Sequence, residues 1–289
     1  MNDISNAYDI CEEITRREAR NFSYGIRLLP PPKRRALSAV YATARRIDDI
    51  GDGDLPAEEK LRRLAETRKA ISHLGADEAT RTDPVLLALA DAAARFPIPL
   101  DAFDELVAGC EADSRGAQYD TFDDLVGYCQ CVAGSVGRLS TGVYAPAALA
   151  HAMPLADTLG IALQITNILR DLREDRQIGR IYLPREDLRR FGCSLDLDAA
   201  GRLADPPERL AALVRFEADR AEIWYRRGLT LLPLLDRRAA ACTAAMAGIY
   251  RRLLRQIARD PEAVRAARLS LGTRQKLAVA VRALVRRSA

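Results

Sequence analysis

The chain has 289 residues, 48% of them hydrophobic and 29% charged, with a formal net charge of +4. That length allows one large domain or two small ones, and the balance suits a soluble globular core rather than a disordered or fibrous chain. No run of about eighteen apolar residues predicts a membrane span, and the opening Met1-Asn2-Asp3-Ile4 lacks the basic-then-apolar pattern of an export signal.

Pro30-Pro31-Pro32 precedes a helical pattern over 33–50, whose apolar stripe is Leu37, Val40, Tyr41, Ala44 and Ile47. Gly51 and Gly53 read as its end. This helix carries the first acidic cluster, Asp48-Asp49-Ile50-Gly51-Asp52. Asp48 and Asp52 are four residues apart, so on a helix they point the same way. Like charges at that spacing destabilise an isolated helix by about 0.2–0.5 kcal/mol, and a helix C-terminus is the wrong end for negative charge. Asp-Gly pairs also make ordinary turns, so this cluster alone decides little. Arg45 shares the face and is placed to hold a phosphate group while the acids hold a metal.

Further helices are predicted over 58–73, 84–95, 100–110 and 122–141. The last contains Tyr128-Cys129-Gln130-Cys131-Val132-Ala133-Gly134-Ser135-Val136-Gly137. Mid-helix glycine costs up to about 1 kcal/mol against alanine, so either close helix packing or a pocket floor explains these small residues. With no strand before it, the segment is not a dinucleotide-binding loop.

A helix over 155–174 holds the second cluster, Asp171-Leu172-Arg173-Glu174-Asp175. Gln164, Asn167, Asp171 and Asp175 are spaced by three, four and four and form one stripe along a helix otherwise made of Leu159, Ile161, Leu163, Ile165, Ile168 and Leu169. A solvated face is more often rich in Lys and Glu. A stripe of amides and aspartates reads as the wall of a wet cavity, with Arg170 and Arg173 as flanking phosphate contacts. Hard cations such as Mg²⁺ take oxygen ligands and bridge carboxylates to phosphate oxygens. Two such stripes predict a metal–diphosphate site clamped between two helices.

Helices over 208–232, 238–259 and 273–286 complete the pattern. There is no Gly/Ser linker and no fixed-period repeat, so one helical domain spanning 1–289 is expected. From Arg237 onward thirteen Arg and Lys face only Asp260 and Glu262. That asymmetry suits anionic lipid headgroups or a phosphorylated substrate. No nucleic-acid-binding motif accompanies it, so nucleic acid is not expected as a partner. Cys11, Cys110, Cys129, Cys131, Cys193 and Cys242 have no CxxC spacing and read as free thiols. His73 and His151 fit no metal or triad pattern.

The chain resembles the squalene and phytoene synthases, the head-to-head prenyl transferases. The resemblance runs from Asn21-Phe22-Ser23-Tyr24-Gly25 through Val40–Asp49 and Val132–Gly137 to the block QITNILRDLREDRQIGRIYLP from Gln164 to Pro184. Within that family, the segments RNFSYGIRLLP, RFPIPLDAF and YCQCVAGSVGRLS look most like the bacterial presqualene diphosphate synthases of the hopanoid route.

The resemblance implies an all-α isoprenoid (terpenoid) synthase fold around a central cavity. It puts Asp48, Asp52, Asp171 and Asp175 at the metal positions, with Asn167 and Gln164 on the same wall and Mg²⁺, or Mn²⁺ in its place, as cofactor. Arg20, Arg45, Tyr250 and Arg268 fall where the family grips diphosphate, with Arg265, Arg274 and Lys276 as alternatives for the last. Asn21 stands where many relatives have serine. Phe22, Tyr41, Val132 and Leu139 would line an apolar tunnel, and Tyr250 or the released diphosphate would accept the proton. The implied reaction joins two farnesyl diphosphates to presqualene diphosphate, handed to a downstream squalene-forming enzyme. A phytoene, dehydrosqualene or squalene synthase is the alternative, and a non-catalytic lipid-binding scaffold the distant one. The expected location is cytoplasmic, peripheral at the inner membrane face.

Overall fold

The computed structural model describes residues 2–19, 22–75 and 78–285. The fold is all-helical: among the described residues there is no β-strand, only one antiparallel bridge between Leu197 and Leu203. The first helix, α1 (Asn2–Glu18), packs on two later ones and is followed by the single turn α2 (Ser23–Ile26). Next comes α3 (Pro31–Asp52), where Pro31 fills a first-turn position that needs no donor. It buries Leu37, Val40, Ala44 and Ile47. The helix runs two residues past the predicted 33–50 and ends at the second of the two expected glycines. Gly51 stays helical and buried, a Cβ there lying 3.2 Å from Cys110 Cβ, and the helix stops only at Gly53. Those two residues keep Asp52 on the face of Asp48.

The outer helices are α4 (Ala57–Ser72), α5 (Glu78–Thr82) and α6 (Pro84–Arg95). Asp83 caps α6 by accepting from Val85 N at 2.9 Å and Leu86 N at 3.2 Å. The same carboxylate takes both guanidinium nitrogens of Arg46, at 2.6 and 3.0 Å, and so ties α6 to α3. Buried Phe103, Leu106 and Val107 anchor α7 (Ala102–Ser114); burying each such side chain stabilises by about 1.5–3 kcal/mol.

The predicted 122–141 helix is broken into three. A capping box of Thr121 and Asp124 starts α8 (Phe122–Cys129), a π-helical turn occupies Gln130–Gly134, and α9 (Ser135–Tyr144) follows. The break lies where α10 (Leu149–Gln177) crosses with almost no space between backbones. A Cβ at Gly137 would lie 2.6 Å from Ala156 O, and one at Gly160 2.4 Å from Ala133 O. Both readings of the small-residue segment therefore hold, because its other face lines a cavity. Pro154 is the sixth residue of α10, so its missing N–H removes one bond that the Ala150 carbonyl would otherwise accept.

By length and composition α10 is apolar enough to cross a bilayer, but it is mostly buried within the protein, against α9 and two later helices. Those are α12 (Pro207–Gly228) and α13 (Arg237–Arg259), with the short α11 (Arg185–Phe191) between α10 and α12 and a 3₁₀ stretch, Leu229–Leu234, after α12. The last described elements are the single turn α14 (Ala263–Ala266) and α15 (Thr273–Val285), which lies on α13 and α2. Position 286, the predicted end of that last helix, lies outside the described residues. All six cysteines are free thiols, Cys131 half-buried and the rest buried.

Candidate active site

A cavity of about 230 Å³ lies between α3, α9, α10 and α13. Its body is apolar, formed by Ile26, Leu37, Val40, Val136, Leu159 and Leu163 among others. Its polar end presents Arg45, Asp48, Gln164 and Asn167. That is the outline of an amphiphile with a charged head.

Of the four motif acids only Asp48 is on the cavity wall, and Arg180, which holds Asp52 and bears on Asp175, links the two clusters; each has one carboxylate paired to an arginine and one that burial raises. On α3, Asp52 accepts from Arg180 Nη1 at 2.8 Å, while Arg180 Nη2 and Lys60 Nζ donate to Gly51 O at 3.3 and 3.0 Å. Burial, reinforced by the charge of Asp52, pushes Asp48 up to about 7. On α10, Asp171 accepts from Arg268 Nε at 2.6 Å and Nη2 at 3.1 Å, and from Arg170 Nε at 2.8 Å. Burial, with the charge of Asp171, pushes Asp175 up to about 7 as well. Arg45 pairs with Asp49 at 2.6 Å and leaves its buried Nε without a partner.

This donor set fits a hard divalent cation. It is all oxygen, two of its carboxylates are destabilised for want of positive charge, and the buried Oδ1 of Asn167 has no partner while its Nδ2 donates to Gln164 at 3.3 Å. It is not a preformed cage: among the described residues no three His, Cys, Asp or Glu side chains converge on one point. Arginines hold the acids instead.

Several residues without a sequence signal complete the site. Asp113 accepts from the hydroxyls of Tyr128, at 2.8 Å, and Tyr182, at 3.1 Å, and these rings stack with centroids 5.1 Å apart. Its charge adds to the field on both Asp48 and Asp175. Arg180 and Tyr182 fall inside the Gln164–Pro184 block, yet nothing in their spacing marks them. Asp113 is an isolated acid on α7.

Other expected site residues divide. Phe22, Tyr41 and Val132 line the cavity. Leu139 does not: it is fully buried in the core on the opposite side of α9 from the lining residues Val136, Gly137, Ser140 and Thr141. Tyr250 is not on the wall either. It stands behind Phe22, rings 5.5 Å apart, and bears on Arg170. Arg268 reaches Asp171, whereas Arg265 turns to Leu203 O and Arg274 is exposed on α15. Arg20 and Asn21 lie outside the described residues.

A family model described as squalene/phytoene synthase matches residues 15–275. The chain belongs to the squalene/phytoene synthase family. It is 52% identical over 284 residues to a phytoene synthase of Mycobacterium tuberculosis, covering 98% of this chain and 92% of that one. It is 36% identical to the 15-cis-phytoene synthase of Synechocystis over 87% of this chain and 76% of the other. A dehydrosqualene synthase crystal structure superposes with a TM-score of 0.82 at 28% identity, covering 99% and 98% of the two chains. As a squalene/phytoene synthase relative, the protein is a prenyl transferase with the all-helical isoprenoid synthase fold, acting by head-to-head condensation of prenyl diphosphates. These likenesses favour the carotenoid alternative over the presqualene and hopanoid branch that the sequence segments suggested.

Proposed function

We infer that this chain is a phytoene synthase, condensing two geranylgeranyl diphosphates head to head with release of two diphosphates. The observation that carries this reading is the 52% identity to a phytoene synthase over nearly the whole of both chains. The cavity supports it, with an apolar body for prenyl chains and a polar end for diphosphate.

Asp48, Asp52, Asp171, Asp175 and Asn167 would hold Mg²⁺, which supplies Lewis-acid neutralisation of the leaving diphosphate. Arg45, Arg180 and Arg268, released from their carboxylates, take the phosphate oxygens and stabilise charge as it builds on the leaving group. Phe22, backed by Tyr250, turns an aromatic face to the allylic cation left behind. Val132, Val136 and Leu163 exclude water, so the cation is not quenched as an alcohol. The acceptor's double bond attacks, and loss of a proton closes a cyclopropane that still bears one diphosphate. A second ionisation opens that ring, and loss of another proton leaves a triene-centred hydrocarbon. Two protons and two diphosphates depart, and no reductant is consumed. Asp113 fixes Tyr128 and Tyr182 beside the acidic pairs.

The test is incubation of the purified protein with Mg²⁺ and either geranylgeranyl or farnesyl diphosphate, without NADPH, and mass spectrometry of the lipid. Phytoene from the C20 substrate is expected. Efficient presqualene diphosphate formation from the C15 substrate, with little C20 turnover, would overturn the substrate assignment and leave the fold and family intact.

A further inference from the structure

We propose that α15 is a docking helix for an anionic bilayer surface. Its inner side is seated firmly: Ala280 is buried, and a Cβ at Gly248 of α13 would lie 2.8 Å from Val279 Cγ1. Its outer side is unlike that of an ordinary surface helix. Leu277 and Val281 are 54% and 50% exposed, one turn apart on the same face. The exposed Ala278 adjoins them, and the exposed Arg274 and Arg282 bound the stripe at its two ends. Single exposed apolar residues are common on soluble proteins. Here two of the five large exposed hydrophobics found among the described residues share one face of one helix.

Charge selects the occupant. From Thr273 onward the sequence has Arg274, Lys276, Arg282, Arg286 and Arg287 and no acid at all, while Arg265 and Arg268 before it turn to Leu203 O and Asp171. Apolar residues flanked by arginines, with no acids, are the face that lies in a headgroup layer, and each basic residue near such a surface contributes roughly 1 kcal/mol. A second copy of this chain fits worse. A two-fold pairing through the stripe would bring Arg274 and Arg282 against their own counterparts with nothing negative between them.

Position gives the surface a use. α15 packs on α13 and α2, and the same two helices supply Thr243, Met246 and Ile26 to the cavity wall. The bilayer would lie one helix layer from the cavity, where an amphiphilic substrate and a hydrocarbon product have least water to cross. The proposal stands on this surface and does not depend on which prenyl diphosphate the cavity takes.

The experiment is sedimentation of the full-length protein with vesicles of phosphatidylcholine alone or mixed with phosphatidylglycerol, at low and high salt. Binding is expected on the mixed vesicles only, and to weaken at high salt. The pair Leu277→Ser and Val281→Ser should lower the partition coefficient on the order of tenfold, and Arg282→Gln roughly fivefold. All three changes lie outside the reaction site, so turnover of detergent-dispersed substrate should stay at the parent rate and report intact folding. Equal binding to neutral vesicles would overturn the proposal, as would anionic binding that the variants retain. So would light scattering that shows a dimer lost in the Leu277→Ser, Val281→Ser protein, with no vesicle binding by either.

Discussion

The two aspartate pairs share a spacing and a charge, but the chain surrounds them differently. Asp48 and Asp52 occupy the last turns of α3, where Asp52 has 65% of its side chain exposed and its one cation, Arg180, comes from the loop after α10. Asp171 and Asp175 likewise occupy the last turns of α10, but there the Asp171 side chain is only 17% exposed and lies between Arg170, 11% exposed, and exposed Arg268. The arginine-held acid of the first pair has one guanidinium on an open face, and that of the second has two and little solvent. An identical motif thus has a mainly chemical role in one place and a chemical and structural role in the other.

The sharpest way to break this contrast is to neutralise one acid in each pair. Asp48→Asn and Asp171→Asn should each lower turnover by about 100-fold or more, as should chelation of Mg²⁺. Only Asp171→Asn should also destabilise the fold, by about 1–3 kcal/mol in urea unfolding, because it strands the buried Arg170. Equal losses of stability would refute the asymmetry.

The helices carrying the pairs offer a second test. Gly160→Ala on α10 puts a methyl against the Ala133 carbonyl and should cost about 1–3 kcal/mol. Gly51→Ala on α3 meets only the Cys110 side chain and should cost distinctly less, the gain in helix propensity offsetting part of the contact. Thermal melts of the two variants decide it.

Arg180→Ala removes the partner of Asp52 together with a donor to Gly51 O, and a fall in kcat/KM of roughly tenfold with little change in Tm is expected. The mildest effect is in pH. Asp48 and Asp175 bind their protons more tightly folded than unfolded, so the stability they contribute is present at low pH. It is lost as pH rises from about 4 through about 7. In metal-free buffer the Asp48→Asn protein should show a flatter decline across that window, and added Mg²⁺ should raise the parent's melting temperature at its upper end. A parent curve parallel to that of Asp48→Asn would remove the buried-acid account.

Much of this was legible in the sequence, and the rest was not for identifiable reasons. The helix at 84–95 could be read to the residue because Asp83-Pro84 is a local start signal. The stripe from Gln164 to Asp175 could be read because helical period alone puts those residues on one face. The π-turn at Gln130–Gly134 could not, since it answers a backbone contact with α10 that local sequence does not record. Leu139 was misplaced for a related reason: in a helix apolar on both sides, period does not say which side meets the cavity and which the core. Asp113 escaped because its partners, Tyr128 and Tyr182, lie 15 and 69 residues away.

The arginine-held aspartates make the site an exchange of partners waiting for two arrivals. A divalent cation that came alone would take the carboxylates and strand Arg180 and Arg268. A diphosphate that came alone would take the arginines and strand the carboxylates. Only together do they satisfy every group, so each should tighten the other's binding by the same factor. The pocket then behaves as a coincidence detector, holding metal or prenyl diphosphate alone more weakly than both at once.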